Sequence, residues 1–598
     1  MSLSSYQAYQ TDKPLRSLMP YLWPKESPLI KRRVVVSLGF LVLSKVANVA
    51  MPLFYKQAID ALGIKGNDLS FFHLPLILIL AYGLARVGAQ LFDGLKDALF
   101  ARVEHYAIRT LALKTFRHLH QLSLRFHLDR KTGAVSHAIE KGVKSIETLL
   151  RFLLFNILPT FVEIIFVAGI FIYFFDVRFA FATNLTLVAY ISLTLFITEW
   201  RTRIVKEMNR VDAEANSKAI DSLLNYETVK FYGNEVHEED RYSVFLKAYE
   251  KSAVRSKISL SVLNIAQGVI IAAGLVVMMI LAARDVQHGV LTVGDFVLVN
   301  TYLIQLYLPL NILGFAYREI KLSLIHINGM FDLLHEKEEI RDHMNAAPIK
   351  LKGGRIQFKD VRFSYVPERE ILKGISFEAV AGETVALVGE SGAGKSTISR
   401  LLFRFYDIQS GQILVDGQDI REVTQKSLRA AIGIVPQDTV LFNESLHYNI
   451  SYGNFNADDK GVERAIKLAE LDRLVNVLPQ GLETLVGERG LKLSGGEKQR
   501  VAIARTVLKD PEIFIFDEAT SSLDTKTERT IQQNLDLISE NKTTLIIAHR
   551  LSTVVHADKI IVLDQGQVVE SGTHQGLLAQ KGHYFDMWQK QQKNNTHQ

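Results

Sequence analysis

Six long apolar runs constrain the fold of this chain more than any other feature of its sequence. The runs cover residues 34–54, 71–92, 152–175, 177–198, 258–283 and 290–316. Each holds about 20 residues or more, the length that an α-helix needs to cross the hydrocarbon core of a bilayer. No such run follows residue 350, where short apolar strands alternate with glycine turns and amphipathic helices. The pattern predicts an α-helical membrane half with six spans, followed by an α/β half.

The basic residues between the runs predict how the spans are oriented. The segments 96–151 and 201–257 each hold 11 Lys or Arg, and Lys31, Arg32 and Arg33 precede the first run. Because basic residues accumulate on the cytoplasmic side of a membrane, we expect the N-terminus and both segments to be cytoplasmic. Their composition favours continuations of the membrane helices by several turns; separate soluble insertions are the alternative.

The N-terminal segment and the amino-acid composition exclude several classes of protein. The first 31 residues contain Asp12 and Glu26, have no apolar core and are poor in Arg. We therefore expect no removable signal or transit peptide, and a bacterial inner membrane is the simplest location. The chain has no Cys, which excludes a disulfide scaffold, a thiolate metal site and a thiol nucleophile. The net charge of +6 is too small to indicate nucleic-acid binding.

A phosphate-binding loop follows a short apolar strand at residues 385–388 and precedes an apolar helix. The loop pattern comprises Gly389, Glu390, Ser391, Gly392, Ala393, Gly394, Lys395, Ser396 and Thr397. Its glycines let backbone N–H groups turn towards phosphates, and the helix N-terminus adds positive potential. Lys395 should reach the β- and γ-phosphates of a nucleotide, and Ser396 should bind Mg²⁺.

A second buried strand, at residues 513–516, runs directly into two carboxylates. Asp517 suits the coordination shell of Mg²⁺, directly or through water. Glu518 suits a general base that polarises an attacking water. Two acids at a strand end can also be a solvated loop, but the phosphate-binding loop upstream favours the catalytic interpretation.

A third motif lies at the start of a predicted helix. It consists of Ser494, Gly495, Gly496 and Glu497. Ser494 and Glu497 have the spacing of a capping box, so a well-capped helix is the simplest interpretation. The two glycines also expose backbone at a helix N-terminus, which predicts a second anion site.

Together these motifs resemble the nucleotide-binding domain of ABC transporters. The resemblance implies that ATP and Mg²⁺ are bound, and that the Ser494–Glu497 signature closes over ATP held by the loop of another domain. It also implies that Tyr365 stacks on adenine and that Gln437 contacts Mg²⁺. Asp524, in the 521–524 segment, would cross between paired domains, and His549 would sense the γ-phosphate. One loop and one signature in the chain then imply a homodimer with twelve spans and two ATP sites.

The order of the two halves resembles the exporter-type half-transporters. We predict an N-terminal cytoplasmic segment over 1–30, a transmembrane domain over 31–330, a linker over 331–352 and the ATPase domain over 353–598. The resemblance implies coupling helices near 125–133 and 222–234, which dock on the ATPase domains. Ordinary helix-turn packing is the alternative for both segments.

Several polar residues and prolines interrupt the spans. Charged groups within a bilayer are costly and usually face a cavity or one another. The charged residues are Lys45, Arg86, Asp93 and Glu163, and the prolines that can kink their helices are Pro52, Pro159 and Pro309. Lys45 and Glu163 either form a structural pair or face a transport cavity, and the sequence leaves both open.

A second polar group occupies the cytoplasmic halves of the last three spans. It comprises Tyr190, Arg201, Asn264, Gln267 and Arg318. Asn264 and Gln267 are three residues apart and so share one side of a helix. Two Arg and two amides suit a small anionic, peptide-like molecule, because Arg pairs with carboxylates and amides pair with peptide groups. Snorkelling of both Arg to the interface is the alternative.

Four strings carry a closer resemblance that spans nearly the whole chain. They lie at residues 199–202, 225–230, 264–267 and 317–318, and are similar to those of the mitochondrial and bacterial heavy-metal and iron–sulfur half-transporters. That family exports glutathione compounds, so the resemblance implies a glutathione site at the five polar residues. Val205 and Leu308 stand where relatives often have Arg, which leaves fewer cationic groups for the cargo.

Three rival functions are weighed against this interpretation. A lipid flippase or multidrug exporter would have a mainly apolar cavity, which the polar group disfavours. Six membrane-length runs oppose a soluble ABC ATPase of DNA repair or translation. The intact Glu518 and signature disfavour a channel or receptor that does not transport. Because the chain has no Cys, any soft metal would have to arrive already bound to its carrier.

Overall fold

The computed structural model describes residues 14–25, 27–62, 70–129, 132–310, 312–487, 490, 492–519, 525–548 and 550–596. The chain divides into two compact units. One comprises Met1–Gln121 and Arg130–Glu336, and the other comprises Leu122–Asp129 and Lys337–Gln598. The break at Glu336 falls within the predicted linker of 331–352, while the exact domain bounds stay predictions.

In the described residues, helices joined by short turns make up the first unit, and the segment 122–129 adds the short α4. The helices are α1 (Pro14–Leu22), α2 (Pro28–Leu62), α3 (Ser70–Gln121), α4 (Leu124–Asp129), α5 (Thr132–Leu150), a π-helix (Arg151–Ile157), α6 (Leu158–Phe174), α7 (Val177–Leu224), α8 (Tyr226–Tyr232), α9 (Glu235–Gln287), α10 (Val293–Leu310) and α11 (Leu313–His335). Six stretches are long and apolar enough to cross a membrane, which confirms the predicted number of spans.

The long basic segments are continuations of the membrane helices, as predicted. The helices α3, α7 and α9 have 52, 48 and 53 residues without a break. At a rise of 1.5 Å per residue, each is roughly 70–80 Å long, about twice what a bilayer requires. Separate soluble insertions are therefore excluded. The two predicted coupling segments contain the short helices α4 and α8.

The π-helix has a local cause in the sequence. Proline has no N–H, so Pro159 cannot donate the usual helical bond to the carbonyl four residues before it. The preceding turns widen, and the N–H of Leu158 bonds to the carbonyl of Leu153, five residues back. The third span is thus continuous but locally wider. Pro52 lies within α2, whereas α10 ends one residue after Pro309.

The helices α2 and α3 form an antiparallel pair whose register is set by specific contacts. The hydroxyl of Ser44 donates to the carbonyl of Ala89 at 3.2 Å. The rings of Phe40 and Phe92 stack with centroids 5.9 Å apart. Small or flat groups at these positions allow close approach of the two helices.

The second unit is an α/β structure with two sheets. Its strands are β1 (Ile356–Val366), β2 (Arg369–Ala379), β3 (Thr384–Gly389), β4 (Ser410–Val415), β5 (Gln418–Asp419), β6 (Ile432–Val435), β7 (Ile513–Asp517), β8 (Thr543–Ile547), β9 (Lys559–Asp564) and β10 (Gln567–Gly572). Its remaining α-helices are α12 (Lys395–Leu402), α13 (Gln425–Ala431), α14 (Leu446–Ser451), α15 (Asp459–Leu468), α16 (Asp472–Val477), α17 (Gly495–Lys509), α18 (Thr525–Ile538), α19 (His574–Gln580) and α20 (His583–Thr596). Short 3₁₀ turns occupy Gly481–Glu483 and Leu551–Val554.

The topology of the larger sheet positions the site. Its order is β10-β9-β3-β8-β7-β6, in which β10 pairs antiparallel and the other neighbours are parallel. The smaller sheet, β2-β1-β4-β5, is antiparallel. The carboxyl ends of parallel strands meet at one edge, where ligands of open α/β sheets bind. The loops after β3, β7 and β8 therefore share that edge.

Candidate functional site

The phosphate-binding loop joins β3 directly to α12, as the sequence predicts. Gly394 is the N-cap of α12 and has a φ of +104°, a left-handed conformation that favours glycine. A Cβ on Gly389 would collide with the carbonyl of Leu563 on the neighbouring strand. These two glycines let the loop turn sharply at the strand end and present its N–H groups at the helix N-terminus.

Lys395 lies within the loop that it is predicted to serve. Its Nζ donates to the carbonyls of Gly389 at 2.7 Å and Glu390 at 3.0 Å, and the residue is buried. Burial lowers the pKa of Lys395, and the nearby carboxylates of Glu518 and Asp517 oppose that shift. The fold thus brings together the loop lysine and both acids from β7, although they are more than 120 residues apart in sequence.

Glu518 is held from two sides by glutamines. Gln437 Nε2 donates to Glu518 Oε2 at 2.8 Å, and Gln499 Nε2 donates to the Glu518 carbonyl at 2.9 Å. Glu518 has a φ of +50°, a strained conformation for a residue other than glycine. A cavity of about 340 Å³ lies beside Glu518 and Gln437, which gives the carboxylate access to small molecules.

Gln499 was missed by the sequence reasoning. It lies on α17, the helix that begins with the signature residues, and it is 2% exposed. No local pattern marks it, because its partner is a backbone carbonyl 19 residues away. The signature helix and the predicted catalytic acid are therefore joined by a partly buried hydrogen bond.

Tyr365 lies beside the helix that follows the phosphate-binding loop. Its hydroxyl is 3.2 Å from the Oγ1 of Thr397 and accepts from Arg400 Nη1 at 3.2 Å. Its ring packs edge-on against Tyr406, with centroids 5.1 Å apart. This position next to α12 is compatible with the predicted adenine contact, which stays a prediction.

The signature motif forms the capping box that its spacing predicts. Ser494 accepts from the N–H of Glu497 at 3.3 Å, and Glu497 accepts from the N–H of Ser494 at 2.7 Å. Gly495 and Gly496 form the first turn of α17, so the exposed backbone lies at a helix N-terminus. Asp524, with the rest of the 521–524 segment, and His549 lie outside the described residues, so their roles stay predictions.

The residues predicted to hold Mg²⁺ supply suitable atoms. Ser396 offers a hydroxyl in the first turn of α12, Asp517 a carboxylate at the end of β7, and Gln437 an amide oxygen. The hydrogen bond to Glu518 uses the amide N–H group of Gln437, which leaves its oxygen for a cation. Oxygen donors of this kind are the ligands that Mg²⁺ prefers. When bound, the cation would neutralise phosphate charge.

In the membrane unit, α7 and α9 bring three of the five predicted polar residues into two neighbouring layers. Gln267 Nε2 donates to Thr194 Oγ1 at 2.8 Å, and Tyr190 lies one turn before Thr194 and is fully buried. Two turns further along α7, Arg201 Nε donates to Ser259 Oγ at 3.1 Å. Asn264 lies between these layers on α9 and is exposed.

The two arginines of this group interact electrostatically with each other. The guanidinium of Arg318 on α11 is near enough to repel that of Arg201. Arg318 also bonds to Glu319 at 3.1 Å and lies over the ring of Phe315 at 5.0 Å. Arg201 is only 6% exposed, so simple snorkelling to the interface does not describe it. The sequence reasoning missed the hydroxyl partners Ser259 and Thr194.

The structure shows that Lys45 and Glu163 form an ion pair, while their position relative to a transport cavity stays a prediction. Lys45 Nζ is 2.6 Å from Glu163 Oε2, and Gln305 Nε2 donates to Glu163 Oε1 at 2.5 Å. These side chains pair across α2, α6 and α10, so the pairing interpretation is confirmed. Arg86 bonds to the hydroxyl of Tyr82, and Asp93 pairs with Lys96.

Comparisons with known proteins agree with this geometry. The family model for the ABC transporter transmembrane region matches residues 34–310, and the ABC transporter model matches residues 372–521. The chain is 50% identical to an ATM1-type heavy metal exporter of Novosphingobium aromaticivorans over 577 residues, covering 96% of this chain and 95% of that protein. It is 47% identical to the human mitochondrial iron-sulfur clusters transporter ABCB7, covering 97% and 79%.

A solved structure shows the same fold. A bacterial Atm1-family ABC exporter with ATP bound matches with a TM-score of 0.84 and 50% identity, covering 94% of this chain and 98% of that chain. Six spans, an ATPase unit and relatives of this similarity make the protein an ATP-driven membrane exporter. The chain belongs to the Atm1-type half-transporters of the ABC transporter family.

Proposed function

We propose that the chain works as a homodimer that exports glutathione derivatives from the cytoplasm across a bacterial inner membrane. The cargo would include oxidised glutathione and metal- or sulfur-containing glutathione conjugates. The observation that carries this proposal is the buried Arg201, which bonds to Ser259 and lies two turns along α7 from the hydrogen bond between Thr194 and Gln267. A guanidinium buried in a membrane protein is costly unless an anion pairs with it.

The chemistry of these side chains fits a small peptide with several carboxylates. A guanidinium binds a carboxylate through two parallel hydrogen bonds, and an amide matches a peptide group. The names of these relatives refer to heavy metals and iron–sulfur clusters. Because the chain has no Cys, it has no thiolate for a soft metal, so recognition would fall on the organic carrier. Because Val205 and Leu308 stand where relatives often have Arg, fewer cationic groups are available to bind the cargo.

The ATP site would drive the transport cycle through residues of two chains. Lys395 would donate to phosphate oxygens instead of to the carbonyls of Gly389 and Glu390. Ser494 and the two glycines after it, from the partner chain, would cover the nucleotide. Glu518 would accept a proton from the water that attacks the γ-phosphate, with His549 and Gln437 placing the reacting groups. Hydrolysis would then separate the ATPase domains and return the cavity to the cytoplasm.

Exposed apolar side chains support the proposal that the chain works as a homodimer. The chain has one loop and one signature, so a complete composite site needs a second copy. The region of α8 exposes large apolar side chains on a segment predicted to be cytoplasmic. These residues are Leu223, Leu224, Tyr226, Phe231 and Tyr232, each at least 57% exposed. An exposed cluster of this kind indicates a covering surface, which we assign to the partner's ATPase domain.

ATPase activity of the purified chain in lipid vesicles tests the cargo. Oxidised glutathione should stimulate hydrolysis and should accumulate in inside-out vesicles in an ATP-dependent way. Arg201→Gln should lose at least tenfold in apparent affinity for this cargo, because a charge-assisted bidentate pair is lost. Arg210→Gln, further along the same helix with local partners Glu207 and Glu214, is the control and should keep the stimulation.

Lipid or multidrug export by the same architecture is the alternative. It predicts flat ATPase activity with oxidised glutathione, no uptake of it into inside-out vesicles, and stimulation by apolar compounds. That combination of results would replace the glutathione proposal and leave the ATP-driven exporter unchanged.

A further inference from the structure

A basic cleft opens between α2 and α3, apart from both the ATP site and the polar group of α7, α9 and α11. It has a volume of about 430 Å³, within the range of small-molecule sites. The residues that line it are Ile30, Arg33, Ala101, Arg102, His105, Tyr106 and Arg109. We propose that this cleft, termed the α2–α3 cleft, binds the headgroup of an anionic phospholipid of the cytoplasmic leaflet.

The basic side chains of the α2–α3 cleft line the same cavity. Arg102, His105 and Arg109 are three and seven residues apart on α3, a spacing that puts them on one side of the helix. Arg33 on α2 faces them across the cleft. Helical side chains lean towards the N-terminus, so the three groups on α3 lean towards the membrane span that precedes them.

Local acids do not neutralise this charge. Among the residues that the structure describes, no carboxylate lies within ion-pair distance of Arg33, Arg102 or Arg109. Arg109 lies over the ring of Tyr106 at 5.9 Å, which leaves its N–H donors for another group. Glu104 interacts with His105, but its other charged neighbours are Glu147 and Arg151, on α5 and the π-helix. The cleft is therefore short of negative charge.

The depth of the cleft selects a lipid over a soluble anion. Arg33 directly precedes the first apolar run, which begins at residue 34, so it lies where hydrocarbon gives way to headgroups. Arg102 lines the same cleft and therefore lies at the same level. Ile30 and Tyr106 add an apolar edge, and tyrosine favours this interfacial layer. Basic pockets between membrane helices on the cytoplasmic side suit lipid phosphates.

Native mass spectrometry of the full-length chain, purified in detergent with phosphatidylglycerol or phosphatidylcholine added, tests the proposal. The chain should retain phosphatidylglycerol in preference to phosphatidylcholine. Each cationic side chain near an anionic group strengthens binding by about fivefold, so Arg102→Gln with Arg109→Gln should weaken phosphatidylglycerol binding by roughly 25-fold. Both residues are exposed, so the change should leave the fold intact.

Two further variants make the test specific. Lys460→Gln with Arg464→Gln removes the same charge from the exposed side of α15 in the ATPase unit, and should leave lipid binding unchanged. Arg102→Lys with Arg109→Lys keeps the charge and should retain most of the bound lipid.

Four outcomes would overturn the proposal. They are unchanged phosphatidylglycerol binding in the double glutamine variant, an equal loss in the α15 control, loss of binding in the lysine variant, and displacement of the lipid by inorganic phosphate at similar concentration. The last outcome would assign the cleft to a soluble anion, and the first would indicate that another surface, such as a second copy, covers it.

Discussion

At the scale of single residues, the predicted catalytic acid Glu518 depends on neighbouring side chains that hold it in place. Gln499 is not among the described residues that line the cavity beside Glu518. Its amide fixes the carbonyl of Glu518, whose backbone has the strained left-handed conformation. A residue keeps such a strained conformation only when several surrounding contacts hold it there. We therefore regard Gln499 as a positioning residue for the acid.

Gln499→Leu should lower the turnover of ATP by about 10- to 100-fold, because an unsatisfied buried carbonyl costs about 1–3 kcal/mol and frees the acid to move. ATP affinity should change little, which a KM measured beside kcat would show. Gln567→Leu, an exposed glutamine on β10, is the matched control and should behave as wild type. Equal activity of Gln499→Leu and wild type would refute the positioning role.

A change of the acid itself tests the predicted role as a general base. Glu518→Gln should abolish the turnover of ATP while ATP still binds, and normal hydrolysis by this variant would contradict that role.

At the scale of elements, the C-terminal end of α2 is tied to the start of α10. Asp60 accepts from the N–H of Gly294 at 3.0 Å and from the hydroxyl of Thr292 at 3.0 Å. Lys56 pairs with Asp295 at 2.5 Å, and Asp295 also caps the N–H of Thr292. Gly294 has no room for a Cβ against Asp60, so the two helices meet closely. The network joins the first span to the last.

Lys56→Met should destabilise the membrane unit by about 3 kcal/mol, because it leaves the buried carboxylate of Asp295 without its counter-charge. Thermal unfolding followed by tryptophan fluorescence would show this as a lower transition temperature. Lys56→Met combined with Asp295→Asn should recover part of the loss, since no charge then stays unpaired. Equal transition temperatures for wild type and Lys56→Met would mean that solvent already screens the pair.

At the scale of the whole molecule, export requires ATP hydrolysis to be transmitted to the spans. The helices α4 and α8 end the long helical extensions, and the two differ in surroundings. Within the second unit, Arg125 of α4 pairs with Glu339 at 3.1 Å and lies over the ring of Tyr406. By contrast, α8 exposes Phe231 and Tyr232 at 80% and 75%. This difference predicts that α8 acts on a second chain.

Tyr232→Ser should reduce transport roughly tenfold while basal ATP hydrolysis persists, because a buried aromatic contact at an interface contributes about 1–2 kcal/mol. Tyr173→Ser, an equally exposed tyrosine on α6, is the control and should transport normally. Measuring both uptake into inside-out vesicles and ATPase activity separates a loss of transport from a loss of ATP hydrolysis. Full transport by Tyr232→Ser would show that α8 does not couple the halves.

The sequence alone determined the features that depend on neighbouring residues. The length of an apolar run predicts a membrane span. The order of strand, glycine-rich loop and helix predicts the phosphate-binding loop. The Ser494–Glu497 spacing sets a capping box. Only the tertiary structure decided the partners of polar side chains. Lys45 pairs with Glu163 across 118 residues, Arg201 with Ser259 across 58, and Gln437 with Glu518 across 81. Such pairs follow from how helices and strands pack, because no local periodicity specifies which distant group fills a buried hydrogen bond.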